Sequence, residues 1–139
     1  MRYRRAVVAD APLLAGLNRQ LIRDEGSRNP MGPDRLEARM RGWLEDGYEA
    51  VLFEAESAAG YALYRFEPEG VFLRQFFVMP ENRRRGVGRR ALAWLEGNVW
   101  AGRGRLRLEV LAGNRAGLAF WRSAGCADYA LTLEKELGT

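Results

Sequence analysis

The sequence predicts a single α+β domain in which a mixed, mostly antiparallel sheet is flanked by helices. Two properties of the whole chain favour this class: a length of 139 residues fits one domain, and a hydrophobic content of 47% supplies one core. The third observation is that the spacing of apolar residues changes between helical and strand-like along the chain. We therefore expect residues 1–139 to form one α/β domain with the order β-α-α-β-β-β-α-β-α-β.

The first third of the chain predicts a short strand and two helices. Asp10 and Asp34 are of the residue type that favours a helix N-cap, and each precedes apolar residues at helical spacing. Pro12 is tolerated in the first turn of a helix. A segment containing glycine and proline separates the two helices as a loop. The expected bounds are 2–6 for the strand, 10–23 and 34–47 for the helices, and 24–33 for the loop.

Three strand-like runs follow, and the turns between them are short enough for antiparallel neighbours. The first turn lies at residues 57–60 and the second at residues 67–70. Pro80 ends the third run, because proline cannot donate to a strand ladder. The expected strands are 50–56, 61–66 and 71–79.

The remaining chain predicts two helices and two strands. Asn114 is expected to cap a short helix that Gly125 ends. Alternating apolar residues predict both strands, of which the second closes the sheet through Tyr129, Leu131 and Leu133. The expected helices are 87–100 and 114–123, and the expected strands are 105–111 and the closing strand from Tyr129.

The composition excludes several kinds of site. The chain has no histidine, which excludes a Ser-His-Asp triad, a Cys-His pair and a His-ligated metal. Its single cysteine, Cys126, excludes an internal disulfide and a thiolate metal cage, and we expect a small buried core residue there. Without these ligands we expect no bound metal. No run longer than eight residues lacks a charge, so we expect no transmembrane helix. Asp10 and Pro12 interrupt any apolar signal-peptide core, so we expect a cytoplasmic location.

Positive charge is concentrated in one segment. Residues 81–122 contain ten arginines and three acidic residues, a net charge of +7, whereas the whole chain has +4. An anionic ligand is therefore expected to bind there. A nucleic acid is not the favoured anion, because the arginines cluster around a glycine turn instead of spreading with aromatic residues over one exposed face.

Two glycines, Gly86 and Gly88, stand at the start of the helix expected from residue 87. Without Cβ atoms they let backbone N–H groups approach an anion, and a helix N-terminus favours phosphate. Five arginines within residues 83–90 add charge and bidentate donors. One interpretation is a phosphate-bearing ligand; the other is a solvated basic helix start in which the glycines only shape the turn.

The residues from Gly86 to Ala91 also match the loose dinucleotide fingerprint G-x-G-x-x-A. Residues 80–85, however, separate this string from the preceding strand. Only about 50 residues follow Gly88, too few for a doubly wound sheet. Dinucleotide binding is therefore not favoured.

Two longer motifs contain these residues. The first is V-x-P-x-x-R-x-x-G-x-G from Val78 to Gly88, and the second is L-E-V-x-x-x-N-x-x-x-x-x-F-W-x-x-x-G from Leu108 to Gly125. With the opening strand and the helix that Asp10 begins, they resemble the GCN5-related N-acetyltransferase (GNAT) family over nearly the full length of the chain.

The resemblance implies an N-acetyltransferase that uses acetyl-CoA as cosubstrate and an amine acceptor as second partner. It implies that pantetheine pairs with the strand before the loop and that pyrophosphate binds the loop amides. Asn114 matches a family residue near the cofactor, although helix capping alone also explains it. The implied cofactor-binding residues are Phe76, Phe77, Val78, Arg83, Arg84, Arg85, Gly86, Val87, Gly88, Arg89, Asn114 and Trp121.

The resemblance also bears on proton transfer. Trp121 stands where the family often has a tyrosine that protonates the departing thiolate, and an indole N–H cannot do this near neutral pH. Water or Tyr129 would then supply the proton. Glu109 matches a position where some members carry the proton acceptor, although an ordinary surface ion pair beside Arg107 is an equal alternative. Trp121 also leaves open a non-catalytic acyl-CoA-binding module.

The acceptor site is implied to border residues 24–33, where Asp24, Glu25 and Arg28 give mixed charge. A small primary amine is the expected acceptor, with a protein N-terminus or lysine as the alternative. Arg74 and Gln75, on the strand before the loop, are candidates for acceptor contacts. A homodimer through the closing strand is a further expectation.

Overall fold

Residues 1–138, which the computed structural model describes, contain five strands and four α-helices. Their order follows the prediction as far as the last helix. The strands are β1 (Arg2–Arg5), β2 (Glu49–Glu54), β3 (Ala58–Glu67), β4 (Gly70–Val78) and β5 (Arg105–Leu108). The helices are α1 (Ala11–Glu25), α2 (Pro33–Glu45), α3 (Val87–Asn98) and α4 (Arg115–Ser123). None of these helices is long and apolar enough to cross a membrane.

The five strands form one sheet in the order β1-β2-β3-β4-β5. The first four are antiparallel neighbours, as the short turns predicted. β5 lies parallel to β4, because α3 carries the chain back across the sheet between them. The predicted class, a mixed and mostly antiparallel sheet flanked by helices, is confirmed.

A separate hydrophobic core covers each face of the sheet. On the α1/α2 face the core includes Leu14, Met40 and Phe77. On the α3/α4 face it includes Leu95 and Trp121. Because side chains alternate along a strand, neighbouring residues of β4 reach opposite cores.

β4 and β5 separate after a short paired stretch. Their last pair is Leu73 with Leu108, whereas β4 continues to Val78 beside β3 alone. Among residues 1–138, the other edge of β4 from Arg74 to Val78 therefore has no strand partner, over about 16 Å at the usual rise per residue. We call the gap between this edge and the chain after β5 the wedge.

Asp10 stands at the N-cap position of α1 as predicted, but its side chain does not cap the helix, and the predicted N-cap at Asp34 is wrong. A 3₁₀ turn leads into α1, so Asp10 is itself helical and its carboxylate points back along the chain. It accepts the N–H of Val7 (2.8 Å) and two N–H groups of Arg4 (2.9 and 3.1 Å). α2 begins at Pro33, so Asp34 lies inside its first turn, where a negative charge still favours the helix dipole.

The predicted closing strand is wrong. Residues 126–138 form no regular secondary structure. Alternating apolar residues form a strand only where a sheet edge and a core accept them. Here the tail instead forms exposed ion pairs, Arg122 with Asp128 and Arg28 with Glu134. Cys126, expected to be buried, is half-buried beside the α3/α4 core, and burial raises the pKa of its thiol. The exposed alternating side chains are Tyr129 (94%), Leu131 (84%) and Leu133 (87%).

Candidate active site

The backbone between β4 and α3 presents a row of unpaired N–H groups. The N–H of Arg83 donates to a preceding carbonyl, and the N–H of Arg90 donates to the Gly86 carbonyl (2.9 Å). Between them, none of the six N–H groups of residues 84–89 makes a backbone hydrogen bond of normal geometry within residues 1–138, although residues 83–86 form a turn. Positive φ angles at Arg84 (61°) and Gly86 (74°) curve this segment. Successive unpaired N–H groups at a helix N-terminus form a concavity that fits an anion such as phosphate.

Arg83, expected to bind the cofactor, is held by two groups of the protein itself. Its Nε donates to the carbonyl oxygen of Val78 at the end of β4 (2.8 Å). Its guanidinium also pairs with the Asp24 carboxylate in the last turn of α1 and lies over the Phe77 ring, 5.5 Å from the centroid. Arg83 therefore connects the loop to both β4 and α1.

The other arginines of the loop lie on the surface. Arg89 donates to the Ser123 hydroxyl in α4 (2.8 Å), and Arg90 donates to the Arg85 carbonyl (2.7 Å). These two bonds tie the start of α3 to α4 and to the loop. The side chains of Arg84 and Arg85 are exposed beside the unpaired N–H groups. Their guanidiniums can turn toward a bound anion at little cost.

A glycine is needed at positions 86 and 88 for two different structural reasons. Gly86 has a φ of 74°, a left-handed conformation that other residues rarely adopt. A Cβ at Gly88 would lie 3.1 Å from a ring carbon of Phe120 in α4. The sequence suggested that both glycines clear space for an anion, whereas the structure gives Gly88 a packing reason, the close approach of α3 and α4.

Phe76, Phe77 and Val78 lie on the unpaired part of β4. The Phe76 ring packs in the α3/α4 core, with its centroid 5.2 Å from that of Trp121. The Phe77 ring is 2% exposed in the α1/α2 core. Because both phenylalanine rings belong to the cores, the strand offers mainly backbone groups to a ligand in the wedge. An extended ligand with amide groups can pair with such an edge as an added strand does.

Asn114 and Trp121 bring α4 to this region. The Oδ1 of Asn114 accepts the N–H of Gly117 (3.0 Å), which confirms the predicted N-cap and leaves Nδ2 for another partner. Trp121 is 9% exposed and packs edge-on against Phe120 and Phe76. The indole is therefore part of the α3/α4 core that supports β4.

Glu109 and Arg74 are the first residues beyond the last β4–β5 pair, one on each strand. They mark the closed end of the wedge. The apolar neighbours of Glu109 in the chain pack toward the α3/α4 core, and Glu109 itself is exposed. The suggested ion pair of Glu109 with Arg107 is not what forms, because Arg107 pairs with Glu67 (3.1 Å).

Sequence reasoning missed a buried polar network on the α1/α2 face. The Tyr61 hydroxyl donates to Oε1 of Gln75 (2.7 Å), and Arg39 donates to Oδ1 of Asn18 (3.1 Å). Burial raises the pKa of the Tyr61 phenol and that of the Glu25 carboxyl. The available signal was that Asn18 and Arg39 interrupt the apolar stripes of α1 and α2.

A comparison with protein families bears directly on this arrangement. The model of the acetyltransferase (GNAT) family matches residues 18–126, most of the chain. The chain belongs to the GNAT family. The matched residues include the loop before α3, the wedge and α4, and acetyl-CoA is the acetyl donor that GNAT acetyltransferases use. No curated protein matches this GNAT chain significantly.

Solved structures of similar fold align with nearly all of the chain. A possible acetyltransferase from Clostridium difficile 630 has a TM-score of 0.77 at 19% identity, covering 99% of this chain and 98% of that one. An aminoglycoside acetyltransferase from an uncultured soil metagenomic sample, in complex with sisomicin, has a TM-score of 0.75 at 14% identity over 99% and 96%. A predicted acetyltransferase with acetyl-CoA from Clostridium acetobutylicum has a TM-score of 0.72 at 16% identity over 97% and 95%. At these identities the likeness concerns the fold.

Two surface cavities of this GNAT domain lie away from the loop at residues 84–89. The larger, about 390 Å³, lies between β1, β2 and α2, and the smaller, about 170 Å³, lies beside Trp100. Neither combines unpaired backbone donors with an unpaired strand edge, so the wedge is the better candidate. Within residues 1–138, no three His, Cys, Asp or Glu side chains come together as a metal-binding group.

Proposed function

We propose that this protein moves an acetyl group from acetyl-CoA to a primary amine of a small molecule or protein, by direct attack in a ternary complex. Family membership supports acetyl transfer in general. One observation carries the proposal: the unpaired N–H groups of residues 84–89 lead into the unpaired edge of β4. This combination fits a ligand with phosphates at one end and an amide-bearing arm.

In this proposal the pyrophosphate accepts hydrogen bonds from the N–H groups of residues 84–89. Arg84 and Arg85 add charge-assisted contacts from the surface. The pantetheine arm pairs with backbone groups of residues 76–78, while Asn114 contributes Nδ2 from the other side. The arm then reaches the closed end of the wedge, so the thioester lies near Arg74 and Glu109.

Proton transfer decides which residue matters most for turnover. An amine with a pKa of about 10.4 costs roughly 4.6 kcal/mol to deprotonate at pH 7, whereas a thiolate leaving group of pKa about 8.5 costs about 2 kcal/mol. Deprotonation is the larger barrier, so we assign Glu109, exposed at the closed end, as the proton acceptor, directly or through water. Trp121 cannot protonate the thiolate, so water does so in this account; Tyr129, in the tail, is the alternative donor.

The test is amine-dependent release of CoA. The purified protein is given acetyl-CoA and a panel of primary amines, and CoA release is followed together with acetylation of the acceptor by mass spectrometry. The proposal expects at least one amine to raise CoA release above the hydrolysis background, with one acetyl group gained per CoA released.

The second candidate is a non-catalytic acyl-CoA-binding module, which is favoured by one observation. The residue in place of the family tyrosine, Trp121, is packed in a core. This reading expects saturable acetyl-CoA binding with no amine-dependent CoA release from any acceptor. The same panel therefore separates the two.

The location of the protein, its need for a metal, its binding to nucleic acid and its oligomeric state stay predictions. We infer a cytoplasmic protein that needs no metal and does not bind nucleic acid. We also infer a homodimer, in which the exposed apolar side chains of the C-terminal tail are covered. Light scattering on the purified protein tests the dimer, and salt-dependent binding to random oligonucleotides would contradict the third expectation.

A further inference from the structure

Two arginines flank one aromatic ring on the α1/α2 face. The Cζ of Arg39 lies 4.5 Å from the centroid of the Trp43 ring, and the Cζ of Arg74 lies 4.7 Å from it. Stacking on an aromatic ring is attractive but does not neutralise a guanidinium. Within residues 1–138, neither arginine forms an ion pair.

Two other arginines on this face provide a contrast. Arg65 and Arg107 also lie over an aromatic ring, that of Phe72. Both, however, pair with the carboxylate of Glu67, at 3.4 and 3.1 Å. Residues 1–138 therefore supply an acidic partner to one pair of stacked arginines and none to the other.

One arginine of this pair, Arg39, is also partly desolvated, whereas Arg74 is exposed. Arg39 is half-buried, and burial together with the charge of Arg74 lowers the pKa of its guanidinium. The Nε of Arg39 is buried without a hydrogen-bond partner among residues 1–138. Asn18, whose Oδ1 accepts from Arg39, also lies against the Tyr61 hydroxyl. Asn18 is only 1% exposed. Two guanidiniums over one ring, with no acidic partner among residues 1–138, form a positively charged site that favours a carboxylate.

The pair of Arg39 and Arg74 lies next to the closed end of the wedge, because Arg74 belongs to both. The register of β3 and β4 shifts so that Arg74 is an extra residue between Leu73 and Gln75. Such a bulge re-aims a side chain, and here both Arg74 and Gln75 reach the α1/α2 face, where they contact Tyr48 and Tyr61. Arg74 is also the first β4 residue at the closed end of the wedge.

We infer that the acceptor is an amine that also carries a carboxylate, which binds between Arg39 and Arg74 beside the Trp43 ring. This inference rests on the proposed function and narrows its acceptor to amino-acid-like amines. The carboxylate only anchors the acceptor. The amine nitrogen forms a bond to the acetyl carbon as the C–S bond breaks; the amine proton goes to Glu109 or water, and the CoA thiolate takes a proton from water.

The test compares acceptors that differ only in the carboxylate. Leucine, phenylalanine and lysine are each compared with the carboxamide and with the decarboxylated amine. We expect kcat/KM to be at least about tenfold higher for the amino acids. An α-amine is easier to deprotonate in the carboxamide, so without carboxylate recognition the carboxamide would be the better acceptor.

Variants assign this preference to residues. Arg74→Gln and Arg39→Gln are expected to raise KM for the amino acids about 10- to 100-fold and to leave KM for acetyl-CoA unchanged. Arg65→Gln is the matched control, because Arg65 is a stacked arginine of the same face that already has a carboxylate partner. This variant is expected to change KM for the amino acids by less than about twofold. Thermal unfolding shows that each variant is folded.

The outcomes separate the two proposals. Equal turnover of amino acids and carboxamides, unaffected by Arg74→Gln, overturns the carboxylate site and leaves the acetyltransferase intact. If no amine is turned over, N-acetyl-leucine is titrated and the Trp43 indole N–H is followed by NMR. Saturation in the wild type but not in Arg74→Gln supports the anion site although the proposed function fails. No saturation in either protein overturns the site as well.

Discussion

The guanidinium of Arg83 joins the carbonyl oxygen of Val78 to the carboxylate of Asp24, which connects the end of β4 to the last turn of α1. The Nε–O distance to Val78 is 2.8 Å. β4 borders the proposed cofactor arm, and α1 contributes to the face where the acceptor is proposed to bind. Arg83 therefore acts first as a positioning residue for the loop, and any contact with phosphate comes in addition.

Replacement of Arg83 is expected to affect stability as well as binding. Arg83→Ala removes both contacts, but the ion pair is partly exposed, so the loss of unfolding free energy is expected to be about 1 kcal/mol or less. For a domain of this size that is a fall in Tm of a few degrees. Arg85→Ala is the control, since its side chain is exposed, and thermal unfolding should find it as stable as the wild type. Equal Tm values for wild type and Arg83→Ala would show that the bridge does not support the fold.

Acetyl-CoA affinity is expected to depend on the backbone conformation at Gly86. Gly86→Ala places a Cβ in a left-handed conformation, at a cost of about 1–2 kcal/mol, so the N–H groups of residues 84–89 lose their alignment. We expect acetyl-CoA to bind about tenfold more weakly by calorimetry. Gly97→Ala, at an open position in α3, is the control and should bind normally. A Gly86→Ala protein with wild-type affinity contradicts the assignment.

The Arg4–Asp10 pair predicts a pH-dependent stability. The hydrogen bonds from Arg4, with the Val7 N–H as a further cause, lower the pKa of Asp10 below its ordinary 3.8. The stabilisation is thus complete above that unfolded-state value and is lost as the pH falls through the lower folded-state pKa. Asp10→Asn should therefore reduce Tm at pH 7, and the difference from wild type should shrink in acid. A Tm difference between wild type and Asp10→Asn that stays constant down to pH 3 would mean that the carboxylate charge does not cause the stabilisation.

Glu109→Gln is expected to lower kcat/KM for the best amine by about 10²- to 10⁴-fold if Glu109 accepts the amine proton. The substitution keeps the shape of the side chain, so acetyl-CoA affinity should be nearly unchanged. Glu56→Gln, in an exposed turn, serves as the control. Steady-state kinetics with both variants checks this prediction, and turnover like that of the wild type in Glu109→Gln rules out the assignment.

Much of the fold could be predicted because its determinants are local in sequence. The short turns around residues 57–60 and 67–70 determine an antiparallel order, and Asn114 caps α4 through an N–H only three residues away. The loop at residues 83–88 is a contiguous motif, so its place before α3 could also be predicted. Each of these features needs only a few neighbouring residues.

What could not be predicted depends on contacts between distant residues. Tyr129, Leu131 and Leu133 alternate as strand residues do, but a strand also needs a sheet edge to receive it. The bulge at Arg74 arises from its pairing with β3, and no single residue type marks it. The position of Arg39 beside Arg74 requires both α2 and the bulged strand.

Phosphate binding at residues 84–89 is tested most directly by an acetyl-CoA titration of the ¹⁵N-labelled protein followed by two-dimensional NMR. We expect the amide protons of residues 84–89 to shift most and downfield, because six unpaired donors gain phosphate acceptors. The amide of Arg90, already bonded to the Gly86 carbonyl, should shift less. Saturable binding that shifts amides elsewhere but not those of residues 84–89, or no binding at all, would contradict a phosphate site in this loop.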